Sequence, residues 1–123
     1  MKAIPVVVLF GAAVCLGLVL GLQYLRGVRN KPVMIGMHLL LGAGGLEVMV
    51  MTLSGAPDGT LMWTGTLGRT AAGFLAAALF VGLLTPMVGR RSRQTMNVAL
   101  ATHATIASVG FVLLLAWVVI AHG

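Results

Sequence analysis

Four apolar runs, each close to the length that a helix needs to cross a bilayer, take up most of this 123-residue chain. A membrane-spanning helix requires about 20 predominantly apolar residues. Only 8% of the residues are charged, whereas soluble domains usually carry about 25% charged residues, so this sequence cannot build a water-facing surface. We therefore predict an all-α integral membrane protein, a four-helix bundle that forms one transmembrane domain over residues 1–123.

The connections between the apolar runs are short. The predicted spans cover residues 4–25, 32–53, 70–88 and 95–121. The longest connection, residues 54–68, is rich in turn-forming residues and divides the chain into two halves. The first run is too long for the apolar part of a signal peptide and ends in basic residues rather than a small-residue cleavage site, so we interpret it as a retained span.

The basic residues indicate how the helices are oriented. Six of the eight lie in two short connections: Arg26, Arg29, Lys31, Arg90, Arg91 and Arg93. The positive-inside rule places loops 26–31 and 89–95 in the cytoplasm, with both termini and residues 54–68 outside. Nothing resembles a mitochondrial transit peptide, so a bacterial inner membrane is the predicted location. Few aromatic residues accompany these cations for base stacking, so nucleic acid is not expected as a partner.

The two halves of the chain form an internal repeat. An offset of 65 residues aligns residues 4–53 with 69–118 without gaps. Eight positions are then identical, among them His38 with His103 and Gly45 with Gly110. Each half contains two spans, so both insert in the same sense and the pseudo-two-fold axis lies along the membrane normal. We predict two tandem parallel helical hairpins, repeat one over 4–53 and repeat two over 69–121.

The paired histidines are the candidate functional residues. His38 lies about 10 Å and His103 about 15 Å past the basic residues before their spans, at 1.5 Å per residue. Ionisable side chains at such depths are costly and often functional. Haem iron accepts two axial imidazoles, and facing helices of a bundle can supply them. The sequence therefore predicts a haem b site with His38 and His103 as ligands.

Small residues accompany both histidines at the same spacing. Gly45 lies seven residues after His38, within about 20° of the same helix face, and Gly42 lies one turn away. Ala107 and Gly110 repeat the pattern beside His103. These residues would leave a shallow groove for the macrocycle. Arg26 and Arg91, on the cytoplasmic side, would meet the haem propionates.

Two other roles for these residues stay open. Small residues in membrane helices often serve only to let helices approach closely. A histidine in a span can act as an interhelical hydrogen-bonding group or handle protons, and another metal or a pigment is a further alternative to haem.

Paired histidines on the second and fourth helices of a small bundle resemble the four-helix haem b proteins of the cytochrome b561-like group. The resemblance rests on the architecture and on His38 and His103. It implies membrane electron transfer, with quinone as one exchange partner. Many members bind two haems through four histidines, whereas spans one and three here contain no histidine, so one bis-histidine haem is expected at most.

Glu47 is the one charged residue inside a predicted span. It lies half a turn from the predicted ligand face, where it would contact a partner chain, a proton path or Arg69, or serve as a protonated packing residue. Cys15 is expected to fill space within the first span. His122, next to the last residue, is expected to be solvated.

No motif of hydrolytic or phosphoryl-transfer chemistry is present, and no enzymatic activity is assigned. The first functional hypothesis is a small electron-transfer protein that binds one haem b and exchanges electrons with quinone or a membrane partner. The alternative is a non-catalytic subunit or assembly factor of a larger membrane complex, in which Glu47 and the glycine-rich faces contact a partner or a second copy. A third, weaker hypothesis is a small channel or transporter with the histidines in a proton path.

Overall fold

The computed structural model describes residues 3–54 and 62–122, apart from the side chains at 62–64 and 122. These residues form four helices: α1 (Ile4–Leu25), α2 (Pro32–Ser54), α3 (Met62–Val88) and α4 (Arg93–His122). All four are long and apolar enough to cross a membrane. The prediction of an all-α fold with four membrane-spanning helices is confirmed.

Four of the eight predicted ends match the helices, two are one residue short, at Ser54 and His122, and the starts of α3 and α4 differ by more. The fourth span was expected from residue 95, yet α4 begins at Arg93 because the Ser92 hydroxyl accepts a 3.0 Å hydrogen bond from the Thr95 amide. That bond is an N-cap, which satisfies a backbone donor left over at the helix start. The expected solvation of His122 concerns a side chain outside the described part of the structure.

The third span was predicted to begin at residue 70, and this prediction is wrong by eight residues. α3 starts at Met62, so Gly68 and Arg69 belong to the helix and not to a loop. Gly68 is buried. A β-carbon placed on it would lie 2.8 Å from both Leu53 Cδ2 and Trp117 Nε1. Gly68, which was predicted to lie in the connection, instead allows other side chains to approach the α3 backbone.

The chain divides into two compact units, residues 1–51 and 52–123. In the first unit, α1 ends in a Schellman motif at Gly27, which has a positive φ of 74°. The Val28 amide donates to the Gln23 carbonyl and the Gly27 amide donates to the Tyr24 carbonyl. These bonds satisfy carbonyls left free at the helix end. The motif requires a residue in the left-handed conformation, which glycine adopts at little energetic cost.

In the second unit, the turn between α3 and α4 is formed by different contacts. The Gly89 amide donates to the Thr85 carbonyl over 2.8 Å, which ends α3. A β-carbon on Gly89 would lie 2.5 Å from the terminal methyl of Met96, so the first turn of α4 packs directly over this glycine. The two turns therefore differ, although both connect helices of equivalent hairpins.

The buried side chains of the two units correspond at the repeat offset of 65 residues. Within the aligned ranges 4–53 and 69–118, five pairs of equivalent positions are buried in both units: Val6 and Ala71, Phe10 and Leu75, Ala13 and Ala78, Gly45 and Gly110, and Met49 and Leu114. In each hairpin three of these positions lie on the first helix and two on the second. The repeat thus extends from sequence identity to the residues that pack each hairpin.

Many large apolar side chains are exposed on all four helices. On a soluble protein such surface would promote aggregation. On helices of this length it is suited to contact with lipid, because acyl chains are as apolar as these side chains.

Candidate functional site

His38 lies on α2 and is half-buried. Its Nδ1 atom is 2.9 Å from the backbone carbonyl oxygen of Ala13, on α1 of the same hairpin. A carbonyl oxygen can only accept, so the ring nitrogen must donate this hydrogen bond. The histidine therefore links the two helices of the first hairpin at a fixed point on α1.

Gly17, one turn after Ala13 on α1, provides the space for the His38 ring. A β-carbon on Gly17 would lie 2.9 Å from Cε1 of His38 and 3.4 Å from Nδ1. The first distance is shorter than a van der Waals contact between carbons. The ring thus rests against the bare backbone of Gly17, and any other residue there would displace it.

The second hairpin repeats this arrangement. Nδ1 of His103, on α4, is 2.7 Å from the carbonyl oxygen of Ala78 on α3, and both histidines lie 25 residues after their acceptor. A β-carbon on Gly82 would lie 2.9 Å from Cε1 of His103 and 3.1 Å from Nδ1. The two rings are therefore held by equivalent carbonyls and rest on equivalent glycines.

The hydrogen bonds define the chemistry that each ring offers. When Nδ1 carries the proton of a neutral imidazole, the lone pair that can bind a metal is on Nε2. Metal-ligating histidines commonly donate their other ring N–H to a backbone carbonyl or carboxylate, which fixes the tautomer and the ring orientation. Both histidines have the carbonyl partner that this arrangement requires.

The four small residues predicted to flank a macrocycle differ in their surroundings. A β-carbon on Gly45 would lie 3.2 Å from three ring carbons of Phe10, and one on Gly110 would lie 3.0 Å from Leu75 Cδ2. These two glycines pack against the first helix of their own hairpin, so the space beside them is already filled. Gly42 has no such neighbour within 4 Å, and Ala107 is half-buried.

The remaining predicted residues are on the surface of the described structure. Arg26 and Arg91 are exposed in the two interhelical connections, as are their basic neighbours. Cys15 is exposed and is not packed inside the hairpin as expected. Glu47 is exposed on α2. Within residues 3–54 and 62–122, no three or more His, Cys, Asp or Glu side chains converge as a metal-binding group.

Sequence reasoning did not assign a role to Ala13, Ala78, Gly17 or Gly82. They form two of the eight identities of the repeat, Ala13 with Ala78 and Gly17 with Gly82, so the signal was present. Their role became visible only when the hairpins placed α1 beside α2 and α3 beside α4.

No protein-family model, curated protein or solved structure matches this chain.

Proposed function

We propose that this protein is a small membrane electron-transfer protein that binds one haem b, with His38 and His103 as axial ligands. The observation that carries the proposal is the duplicated hydrogen bond from Nδ1 to the carbonyls of Ala13 and Ala78. A hydrogen bond of this kind orients an imidazole and increases the basicity of its second nitrogen.

The donor set fits the group. Haem iron takes two axial protein ligands, so a pair of imidazoles suffices and no larger cluster of ligating side chains is needed. When bound, haem supplies one-electron exchange at the iron. The protein's own residues would bind and orient it: the two carbonyls hold the rings, Gly42 and Ala107 leave room beside them, and Arg26 and Arg91 offer positive charge to the propionates.

The electron partner follows from the surface of the helices. Their exposed side chains are mostly apolar, and the described connections are too short to form a docking domain for a soluble protein. A quinone within the bilayer, or another membrane protein, is therefore the proposed partner in electron exchange, in a bacterial inner membrane with both termini outside.

The test is a visible spectrum of the protein purified in mild detergent from cells supplied with haem. We expect reduced-minus-oxidised bands of a b-type haem at one haem per chain. His38→Ala and His103→Ala should each abolish them, because either change removes an axial ligand. His122→Ala is the matched control and should retain them. A colourless wild-type protein would overturn the proposal.

A second candidate function is a non-catalytic subunit of a larger membrane complex. It is favoured by the same hydrogen bonds interpreted differently, because each histidine hydrogen-bonds to and packs against the other helix of its own hairpin. Such a histidine joins two helices without any cofactor. A colourless protein that co-purifies with a stoichiometric membrane partner would support this function over the first.

A further inference from the structure

The two hairpins share their interior but differ on their exposed faces. Glu47 on α2 is equivalent to Val112 on α4, and Arg69 on α3 is equivalent to Ile4 on α1. All four side chains are exposed. Each hairpin thus has one charged residue at a position where the other hairpin has an apolar residue, and the two charges are opposite in sign.

These charges lie at matching depths. Glu47 is seven residues before the end of α2 at Ser54, and Arg69 is seven residues after the start of α3 at Met62. At 1.5 Å per residue, each is about 10 Å from the end of its helix. The two helix ends are joined by residues 55–61, so they reach the same side of the membrane. Each charge thus lies about two turns from the end of its own helix.

Neither charge has an ion-pair partner within residues 3–54 and 62–122. A carboxylate that faces lipid is costly and usually pairs with an opposite charge. Small residues on the same side of α2 as Glu47 allow a close approach: Gly44 is three residues from Glu47 and Gly36 is about three turns away, and among the described residues a β-carbon on either would meet nothing within 4 Å. The face defined by Gly36, Gly44 and Glu47 is thus suited to a neighbouring helix that brings a cation.

We propose that this face binds a second copy of the chain, with Glu47 of each copy paired to Arg69 of the other. A two-fold symmetric dimer makes each such contact twice, so both charges of both copies are neutralised. The chain itself supplies the complementary charge at the same distance from its helix end, which favours a second copy over a different protein. The proposal does not depend on haem binding.

Disulfide crosslinking between separately tagged copies tests the contact directly. In a Cys15→Ala background, full-length Glu47→Cys and Arg69→Cys chains are co-expressed and oxidised in the membrane. We expect a crosslinked product that carries both tags. The matched control is the pair Val112→Cys and Ile4→Cys, which occupies the equivalent positions of the repeat and should not crosslink between copies.

Association measured in detergent or nanodiscs tests the charge pairing. Glu47→Gln or Arg69→Gln should weaken the dimer about tenfold, given the usual strength of a polar contact between membrane helices. The double reversal Glu47→Arg with Arg69→Glu should restore it, which a merely misfolded single variant would not show. A monomeric wild-type chain, or a crosslink that forms only within one chain when both cysteines are present, would overturn the proposal.

Discussion

At the scale of single residues, the glycines under the histidine rings matter as much as the histidines. Gly17 and Gly82 allow an imidazole to reach a carbonyl on the neighbouring helix, because a β-carbon at either position would lie 2.9 Å from the ring. A histidine with the correct sequence position but without this space would turn away from its acceptor. The orientation of each ring is thus decided by a residue on another helix.

We predict that Gly17→Ala destabilises the protein by about 1–3 kcal/mol, the usual cost of overpacking a close contact. The new methyl group would push the His38 ring from Gly17 and lengthen its bond to Ala13. Unfolding in detergent measures the loss, and ¹⁵N NMR of the ring nitrogens reports whether Nδ1 still donates.

Gly21→Ala is the matched control for this change. Gly21 lies one turn further along α1, and a β-carbon there would meet nothing within 4 Å. Alanine favours a helix over glycine by about 0.5–1 kcal/mol, so this variant should be as stable as wild type or slightly more stable. Equal effects of the two variants would refute the role assigned to Gly17.

The sequence predicted the histidines but only part of their surroundings. Spacing along one helix is fixed by 3.6 residues per turn, which is why Gly42 and Gly45 were placed near His38. Gly17 lies on another helix, and its distance from His38 depends on how the hairpin closes. Periodicity within α2 carries no information about that register.

At the scale of the helices, two glycines of α2 have different neighbours. Phe10 packs over Gly45, whereas a β-carbon on Gly42 would meet nothing within 4 Å. The predicted groove for a macrocycle is therefore filled at Gly45 by the hairpin itself. If haem lies beside His38, it has room near Gly42.

We predict that Gly45→Leu lowers the stability of the haem-free protein by about 1–3 kcal/mol, because the leucine would overpack the Phe10 contact. Gly42→Leu should leave that stability within about 0.5 kcal/mol of wild type but reduce the haem bound per chain. Unfolding of the apoprotein and absorbance of the reconstituted protein measure the two effects. Loss of stability in both variants, with no difference in haem content, would contradict this assignment.

The helix ends show where sequence patterns work and where they fail. The start of α4 at Arg93 follows from a cap by Ser92. A serine before a helix is a recognisable signal, although the predicted span began two residues later, at residue 95. The start of α3 at Met62 was missed because residues up to Gly68 were assigned to the connection between spans. The contact of Gly68 with Trp117 is tertiary, and tertiary packing overrides the low helix propensity of glycine.

Orientation is a property of the helices that labelling can test. In a Cys15→Ala background, Ser92→Cys should react with a membrane-impermeant maleimide only after the cells are opened, because the basic loop 89–95 is predicted to be cytoplasmic. Ser54→Cys, at the other end of a span, should react in intact cells. Both serines are exposed, so accessibility within the protein does not limit the reaction. Labelling of Ser92→Cys from outside would show that the topology is the opposite of the one predicted.

At the scale of the whole molecule, the repeat is the feature that the sequence predicted best. The offset that aligns His38 with His103 also aligns five pairs of buried positions and both histidine hydrogen bonds. The pairing of the two histidines across one haem stays a prediction. It depends on both hairpins together, and neither spacing nor hydropathy within a hairpin determines it.

A double-variant cycle tests that pairing. In the haem-free protein, Gly17→Ala and Gly82→Ala each disturb the contact between a histidine and the neighbouring helix of its own hairpin, so their effects on the free energy of unfolding should add within about 0.5 kcal/mol. In the haem-bound protein the two costs should not add. Haem binding stabilises the folded protein, and displacing one ring already weakens that binding. Displacing the second ring therefore removes less of the stabilisation that haem provides.

The coupling should therefore appear only when haem is present, with the double variant losing less than the two single variants together. Unfolding of all four proteins with and without haem gives the two coupling energies. Gly21→Ala combined with Gly73→Ala is the matched control, because a β-carbon on either glycine would meet nothing within 4 Å. Additive effects in both states would mean that the histidines act separately, each as a link within its own hairpin, and would favour the structural-subunit function over a shared haem.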